Sequence, residues 1–441
     1  MMNWAEAELK TVDLGDERLE ARAVLLAERL GGKPGESIPN ACRGWTETQG
    51  AYRFLSNDRV KWEAVMLAHR SSGEERMREQ AVVLNIQDTT ELDFNGRQAR
   101  GLGPLSYEAQ RGMYLHLTYA VSPSREPLGV MDAKIWSRAP KGPDGKRPGN
   151  NEGRRWIEGY ERVAERAGEM PAVKHVYVAD READILALLS KAREMGHAAD
   201  YLIRCQHNRA LPDGGRLWAA EMPILGEVCF GLPAGRGRKA RTVTQRIRSE
   251  RIELKDGSGG RLPVTLVLAE ELDAPTGAKP VVWRLLSNRS VETLEEAVTL
   301  VEWYRARWEV EQLFLIFKEG CRIESLQLED ADRIKKALAL YLVVAWRIHR
   351  LVRLGRALPE LPADLLLETE EWTAAYMLNN KKVPKQAPPL RDVVRLIAQL
   401  GGFLARKGDG EPGAKTIWLG LRDLALAVHT IHATQTNKRC V

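Results

Sequence analysis

The sequence predicts an α/β protein in which a mixed β-sheet in the middle of the chain is flanked by helical segments at both ends. Three observations predict this fold class. Residues 81–136 contain three β-type runs, residues 152–204 alternate helix and strand, and apolar residues recur at helical spacing before residue 65 and after residue 291. Three strands followed by alternating helices and strands combine antiparallel and parallel pairing in one sheet.

Length and composition bound the class of protein. A chain of 441 residues exceeds one typical domain, and its 44% of hydrophobic residues supplies a large core, which excludes general disorder. The net charge is only +6, so a polyanionic partner is indicated only where basic residues cluster. The cysteines form no CxxC pair, which argues against a thiolate zinc site. No signal peptide or spanning segment is evident, so we expect a cytoplasmic protein without a membrane partner.

The first 65 residues predict short helices. Apolar residues from 16 to 30 fall on one helical face, and arginines, among them Arg22, fall on the other. A second helical stretch at 46–55 carries Arg53. We therefore expect a helical domain at residues 1–65 with basic residues on its surface.

Residues 66–358 predict the α/β domain. Its first elements are strands at 81–87, 113–121 and 128–136, a helix at 152–166, a strand at 175–179, a helix at 181–195 and a strand at 201–204. Residues 205–282 are rich in Gly, Pro and β-formers and break this alternation, which predicts a β-rich insertion. Helices resume from 291 to 354, and residues 359–441 predict a last helical domain.

A basic run lies inside the predicted insertion. Residues 236–251 carry seven Lys or Arg, including Arg246 and Arg248, against one acid. Clustered cations of this kind bind phosphates, so we expect this run to contact DNA. The alternative is a solvated face.

Two carboxylates follow apolar strands of the predicted sheet. Asp88 comes directly after strand 81–87, and Asp180 comes directly after strand 175–179. Adjacent carboxylates at strand ends can hold a hard divalent cation through their oxygens. Each has an ordinary alternative as well, because Asp180 suits a helix N-cap and Asp88 suits a turn.

The predicted helix at 303–318 carries Tyr304, Arg307, Glu311 and Lys318 on one stripe. At about 100° per residue, Glu311 and Lys318 return to within about 20° and 40° of Tyr304, and Arg307 lies about 60° to one side. A phenol, a guanidinium, a carboxylate and an ammonium group suit phosphodiester chemistry, with the carboxylate on metal and the others on phosphate. The alternative is a solvated face with an exposed Arg307–Glu311 pair.

The spacing Tyr-x2-Arg-x3-Glu-x6-Lys of this stripe resembles the signature helix of bacterial DDE cut-and-paste transposases of insertion-sequence elements. Asp88 within Gln-Asp-Thr-Thr-Glu-Leu and Asp180 within Ala-Asp-Arg-Glu-Ala-Asp-Ile resemble the two other acidic positions of that family. The resemblance is closest to the transposase of transposon five. It extends from Leu-Gly-Asp-Glu-Arg at 14–18 to Leu-Gly-Gly-Phe at 400–403.

The resemblance implies an RNase-H-like mixed-sheet catalytic core at 66–358, with the β-rich insertion at 205–282. The helical domain at 1–65 would bind transposon ends, and the helical domain at 359–441 would form a dimer. Asp88, Asp180 and Glu311 would hold Mg²⁺ or Mn²⁺, two ions in each active site. Tyr304, Arg307 and Lys318 would complete the catalytic set.

The resemblance also implies DNA contacts outside the acids. Two tryptophans match aromatic residues that stack on flipped-out bases, for which core packing is the alternative. Three arginines match residues that bind transposon ends or lie near the family's active site. The residues so implied are Arg22, Arg53, Arg204, Trp283 and Trp308.

A metal-dependent DNA transposase is the function that the resemblance implies. Water would nick one strand, the new 3′-hydroxyl would attack the opposite strand to form a hairpin, water would reopen it, and the 3′-end would join target DNA. Apolar stripes at 393–403 and 418–428 need burial, either on the core of the same chain or in a two-fold interface between protomers on two DNA ends. A non-catalytic end-binding regulator and an RNase-H-type nuclease without strand transfer stay open as alternatives.

Overall fold

The computed structural model describes residues 3–145, 147, 153–232, 239–256 and 260–438. Within these ranges, one ten-stranded mixed sheet passes through the middle of the chain, in the order β2-β3-β1-β5-β6-β10-β9-β8-β7, with β4 paired to β3. The first strands and helices of this part are β1 Val82–Asp93, β2 Gly103–Pro104, β3 Arg111–Val121, β4 Pro127–Trp136, α6 Arg154–Glu169, β5 Lys174–Ala179, α7 Leu186–Glu194 and β6 Asp200–Arg204.

Five helices precede the sheet. They are α1 Trp4–Glu8, α2 Glu17–Gly32, α3 Ile38–Ala41, α4 Gly44–Ser56 and α5 Trp62–Arg78. The Asp16 carboxylate caps α2 by accepting a hydrogen bond from the Arg18 amide at 2.9 Å. On α4, Phe54 and Leu55 are buried in the core, whereas Arg53 of the same helix is exposed to solvent. The helical periodicity of the sequence therefore locates both α2 and α4.

The centre of the sheet combines two kinds of pairing. Strand β1 runs antiparallel to β3 and parallel to β5, and β5 runs parallel to β6. Because side chains alternate between the faces of a strand, Gln87 points toward α6 and Asp88 points to the opposite face. Apolar side chains of the sheet are buried on both faces, which matches the near-continuous apolar runs in β3 and β5.

The predicted insertion forms strands that extend the main sheet. Its strands are β7 Ile224–Leu232, β8 Arg241–Lys255 and β9 Arg261–Leu272, joined as antiparallel neighbours. The chain then returns as β10 Val282–Ser287, which pairs with β9 on one side and β6 on the other. The sequence reading did not predict β10, because Val-Trp-Arg-Leu-Leu-Ser is short and does not alternate regularly.

Helices form the rest of the chain. They are α8 Leu294–Arg305, α9 Trp308–Leu315, α10 Ala331–Ala357, α11 Thr369–Leu378, α12 Leu390–Leu400 and α13 Ala414–Lys438. Every residue from 336 to 349 of α10 is buried, as expected for a helix that neighbouring elements cover on all sides. Among the described residues, no helix combines the length and apolar character that crossing a membrane requires.

The apolar stripes of the last segment pack inside the same chain. Val393 and Ile397 of α12 are fully buried, as are Leu421 and Leu424 of α13 to within a few per cent. Helix α13 packs on α10, α11, α12 and α2. The expectation that these stripes form an interface between protomers is therefore wrong for their buried members, because the core of this chain already covers them.

Close packing of α6 on β1 generates a stability prediction. A Cβ atom at Gly159 would lie 1.8 Å from Gln87 Nε2, and Gln87 cannot move away because it is fully buried and donates to Thr118 Oγ1 at 2.8 Å. We expect Gly159→Ala to lower the free energy of unfolding by about 1–3 kcal/mol or more in urea denaturation. Gly168→Ala on the same helix is the control, since nothing lies within 4 Å of its Cβ position. Equal stability of both variants would contradict this packing.

Candidate active site

The two strand acids lie side by side where β1 and β5 separate. The parallel ladder pairs Gln87 with Ala179 as its last step, so Asp88 and Asp180 are the next residues on the two strands. Contrary to the sequence prediction, Asp88 does not end its strand, because β1 continues to Asp93 by pairing with β3. The residues after Asp88 are polar, so their sequence does not indicate that the strand continues. In this part of β1, the edge toward β3 is still paired, but the edge toward β5 is not.

Asp180 also caps the segment that follows it. Its carboxylate accepts a hydrogen bond from the Glu182 amide at 2.9 Å. The predicted helix at 181–195 is divided, since a single 3₁₀ turn, Arg181–Ala183, comes first and α7 begins at Leu186. Asp180 therefore acts as an N-cap, as the alternative interpretation predicted, and its position beside Asp88 also suits a metal ligand.

The predicted helix at 303–318 is not one regular helix. Tyr304 lies near the end of α8, Arg307 in the turn between α8 and α9, and Glu311 on α9. A π-helical turn, Ile316–Gly320, follows and carries Lys318. A constant 100° per residue therefore does not hold along this segment, and the single stripe that we predicted is wrong.

Arg307 joins the signature segment to the sheet. Its Nη1 donates to Asp88 Oδ2 at 2.6 Å, and its Nη2 lies 3.6 Å from Glu311 Oε1. One guanidinium thus stands between two of the three predicted acids. The exposed Arg307–Glu311 pair that sequence offered as the alternative is here part of a partly buried site.

The three acids act on one another electrostatically. The pKa of Asp88 is raised to about 7, chiefly by burial; the Arg307 guanidinium opposes the rise, and the carboxylates of Asp180 and Glu311 add to it. Burial lowers the pKa of Arg307, but the surrounding acids and Tyr304 hold it above its ordinary value. The site therefore carries more negative charge than one guanidinium balances.

The donor set fits a hard divalent cation in type. Asp88, Asp180 and Glu311 offer only carboxylate oxygens, which Mg²⁺ and Mn²⁺ prefer. The pKa of Asp88 is raised chiefly by burial, and the Asp180 and Glu311 carboxylates add to the rise as a bound cation would not. In the described part of the chain, no three His, Cys, Asp or Glu side chains are already arranged to hold one ion. Arg307 is placed between Asp88 and Glu311 in this conformation.

Aromatic residues flank the acids. Tyr304 is buried, which raises the pKa of its phenol, and the positive charge of Arg204 at the end of β6 opposes the rise. Trp283 meets Tyr304 edge to face at 6.1 Å between ring centroids, and Phe230 of β7 stacks on Trp283 at 6.0 Å. Trp308 is 58% exposed. Core packing is thus excluded for Trp308, whereas Trp283 is half-buried beside the site.

Lys318 does not join the acids. Its Nζ donates to the Glu91 carbonyl oxygen at 2.8 Å and lies 3.2 Å from Glu324 Oε1. Glu324 in turn accepts a hydrogen bond from the Asp93 amide at 2.9 Å. Lys318 therefore holds the far end of β1, a contact that the linear sequence does not indicate.

The arginines predicted to contact DNA differ in their exposure and in whether other residues of the chain already bind them. Arg53 is exposed, and Arg22 is half-buried beside Gly50. Arg246 lies 2.9 Å from Glu227, and Arg248 donates weakly to a backbone carbonyl. Of the basic run, residues 236 and 238 lie outside the described residues. Neighbouring strands thus supply acids that the sequence count of the run did not include.

Sequence reasoning missed a cation behind the two strand acids. Arg155 at the start of α6 donates to Thr89 Oγ1 at 3.3 Å and to Glu182 Oε2 at 2.9 Å, so it joins the segments that follow Asp88 and Asp180. Its signal in the sequence is weak, because it lies far from both aspartates along the chain.

A second missed cluster holds α9 in place. Glu309, fully buried, accepts hydrogen bonds from both Arg353 and His349 of α10. Burial raises the pKa of Glu309, and the contacts with His349 and Arg353 bring it below its ordinary value. The ionised Glu309 thereby fixes how α9 presents Arg307 and Glu311 to the sheet.

Three family models match successive parts of this chain. The model described as transposase DNA-binding matches residues 1–60, the transposase DDE domain matches 161–347, and the transposase Tn5 dimerisation domain matches 343–438. The chain belongs to the Tn5-like DDE transposases. The mixed sheet with its flanking helices is consistent with the RNase-H-like core of this DDE transposase.

The matched ranges give the protein its general activity. This transposase has a DNA-binding region, a domain of the nuclease and transposase class, and a dimerisation domain. Asp180 and Glu311 lie inside the matched DDE range, and Asp88 precedes it.

One solved structure is a distant relative in shape. The cryo-EM structure of the piggyBac transposase synaptic complex with hairpin DNA is 10% identical and has a TM-score of 0.37. The match covers 97% of this chain and 81% of that chain.

The buried Asp88 carboxyl predicts how stability depends on pH without metal. Its pKa rises from 3.8 to about 7 on folding, so the folded state binds more protons between these values and the unfolding free energy falls as pH rises through them. In Asp88→Asn, the unfolding free energy lacks this fall, because the amide does not titrate. Between pH 3.8 and about 7, we expect the unfolding free energy of the variant, relative to wild type, to increase by at most about 1.4 kcal/mol per pH unit, and not to increase further above pH 7. Urea unfolding in EDTA measures this, and a difference independent of pH would contradict the assignment.

Proposed function

We propose that this transposase cuts and joins DNA at one active site formed by Asp88, Asp180 and Glu311. The observation that carries the proposal is the end of the β1–β5 ladder beside the Arg307 turn: it brings two strand acids next to each other and one guanidinium between Asp88 and Glu311. The three carboxylates would hold two Mg²⁺ or Mn²⁺ ions. When bound, such ions activate an oxygen nucleophile and stabilise the leaving oxygen.

Arg307 has two roles in this proposal. Without metal, its guanidinium offsets part of the charge of Asp88 and Glu311. With DNA present, the same group donates to phosphate oxygens, for which its planar fork is suited. Tyr304, whose phenol interacts electrostatically with this guanidinium, presents its hydroxyl group to the same phosphate. Lys318 acts by holding the end of β1, and a direct phosphate contact would require it to leave Glu91 and Glu324.

The reaction that we propose has four steps. Water attacks a phosphodiester at the transposon end and leaves a 3′-hydroxyl. This hydroxyl attacks the opposite strand and forms a hairpin, water opens the hairpin, and the 3′-hydroxyl then attacks target DNA. Each step exchanges one oxygen on phosphorus for another, so one set of carboxylates can serve all four.

Hairpin formation bends a strand end sharply, which unstacks a base. We propose that Trp283 and Trp308 offer aromatic surfaces to unstacked bases. The Trp308 side chain is exposed, so a base can reach its ring. Phe230 covers one face of Trp283, so a base would have to use the opposite face or displace the phenylalanine ring.

The domain limits and partners follow from this reading. We propose end binding by residues 1–65 through Arg22 and Arg53, catalysis by residues 66–358 with the insertion at 205–282, and dimerisation by residues 359–441. Arg246 and Arg248 of the insertion are proposed as further DNA contacts. The working form is a homodimer on two transposon ends that joins them to target DNA, in the cytoplasm of a bacterium.

Replacement of the acids tests catalysis. Asp88→Asn, Asp180→Asn and Glu311→Gln are each expected to reduce nicking and strand transfer by about a thousandfold or more, since several kcal/mol of transition-state stabilisation are lost. Binding of end DNA, measured by gel shift, should change little. Strand-transfer assays with labelled donor ends provide the readout.

The control is Glu319→Gln, which changes an exposed carboxylate on the π-helical turn after the same segment. It should leave cleavage unchanged. Wild-type protein that binds ends but never cuts them in Mg²⁺ or Mn²⁺ would indicate a non-catalytic regulator. Cutting without strand transfer would indicate a nuclease.

Exposed leucines on α13 test dimerisation. Leu419 and Leu426 are seven residues apart on one helical face and are 37% and 62% exposed. We expect Leu419→Glu with Leu426→Glu to lower concerted two-end joining about tenfold or more, because losing two apolar contacts exceeds the 1.4 kcal/mol of a tenfold change. Size measurement with end DNA should show single-end complexes. Leu67→Glu, at an exposed leucine of α5 outside residues 359–441, is the control. Unchanged concerted joining would place the interface elsewhere.

A further inference from the structure

A polar groove lies between the N-terminal helices and the catalytic core. Its volume is about 530 Å³. Asn40 and Tyr52 line it from the side of α3 and α4, and Arg97 and Arg322 line it from the side of the core. The two arginines come from different parts of the core, one from the loop after β1 and the other from the turn after the π-helical segment.

Arg322 adopts an unusual backbone conformation. Its φ is +49° and its ψ is 39°, in the left-handed region that glycine occupies most readily. Such a conformation is strained for any residue that carries a Cβ atom. Arg125 has a positive φ as well, but its guanidinium lies 3.6 Å from Glu302. The exposed Arg322 side chain has no hydrogen bond or ion pair with any residue in the described ranges.

The guanidinium group of Arg97, like that of Arg322, has no hydrogen bond or ion pair within the described ranges. The Arg97 backbone amide donates to the Phe94 carbonyl oxygen at 3.0 Å, whereas its exposed side chain has no partner among the residues that the structure describes. Glu36 also lines the groove and accepts a hydrogen bond from Asn40 Nδ2 at 3.2 Å. Two arginines and one glutamate leave one net positive charge in the groove.

We infer that this groove holds the phosphodiester backbone of duplex DNA, with Arg97 and Arg322 as phosphate contacts. Free guanidinium groups on a polar surface suit phosphate oxygens. The groove also continues a surface already proposed to bind DNA, because Tyr52 in its wall precedes Arg53 on α4. Tyr52 and Asn40 supply further polar groups of the kind that bind a sugar–phosphate backbone.

The lining of the groove supports one continuous duplex track on a protomer. Tyr52 of α4 lines the same groove as Arg97 and Arg322, so a duplex that lies against α4 also meets these two arginines. The inference rests on the proposed DNA-end binding by residues 1–65, and it adds two contacts from the catalytic core.

Arg322→Gly tests the inference sharply. The variant removes the guanidinium and also relieves the left-handed backbone, so its melting temperature should equal or exceed that of wild type. The slope of log K against log salt for duplex binding should fall by about one, and by about two together with Arg97→Gln. The loss should be the same for end DNA and for random duplex, since phosphate contacts carry no sequence information.

Arg125→Gly is the matched control, because it removes an arginine from another left-handed position. It should leave the salt slope unchanged. An unchanged slope in Arg322→Gly, or in Arg322→Gln should the glycine variant fold poorly, would overturn the inference. Wild-type protein that binds no end DNA would instead overturn the proposed end binding, so the two failures are distinguishable.

Discussion

The point at which β1 and β5 stop pairing determines the geometry of the proposed active site. After Gln87 and Ala179 the parallel ladder ends, and β1 continues with β3 alone, so two aspartates emerge next to each other at an open edge. Two carboxylates so placed repel, and burial increases the free-energy difference between their charged and neutral forms. Arg307 offsets part of this repulsion in the metal-free protein. The stability of the metal-free core and the proposed binding of a cation are thus in opposition at one place.

Buried polar groups behind the site keep this arrangement rigid. On the face of the sheet that α6 covers, His116 of β3 accepts a hydrogen bond from Thr89 of β1 and contacts Gln87. Burial lowers the pKa of this histidine to about 3, so it stays neutral. On the opposite face, ionised Glu309 joins α9 to α10. Removing one partner from such a cluster would leave a buried charge or donor unpaired, so each cluster fixes its helix against the sheet.

Local free charge matters more for DNA binding than the total. The whole chain carries only +6, and two arginines of the basic run in the insertion contact acids on neighbouring strands, Arg246 with Glu227 and Arg241 with Glu271. Arg53 is exposed instead on the N-terminal helices. A cation already paired within the chain gains less from a phosphate than an unpaired one, because it must first give up its partner. The distribution of unpaired guanidinium groups therefore indicates where DNA would lie.

The sequence by itself determined the fold class, most helices and strands, and the transposase family, because alternation, helical spacing and short acidic motifs are local properties. It also singled out Asp88, Asp180 and Glu311, whose roles as metal ligands remain predictions. Only the tertiary structure decided that β1 extends to Asp93, since that depends on pairing with β3. It likewise decided that Lys318 binds the end of β1 and that the α12 and α13 stripes are buried within one chain. These outcomes depend on which distant segments meet, and residue spacing alone carries no information about that.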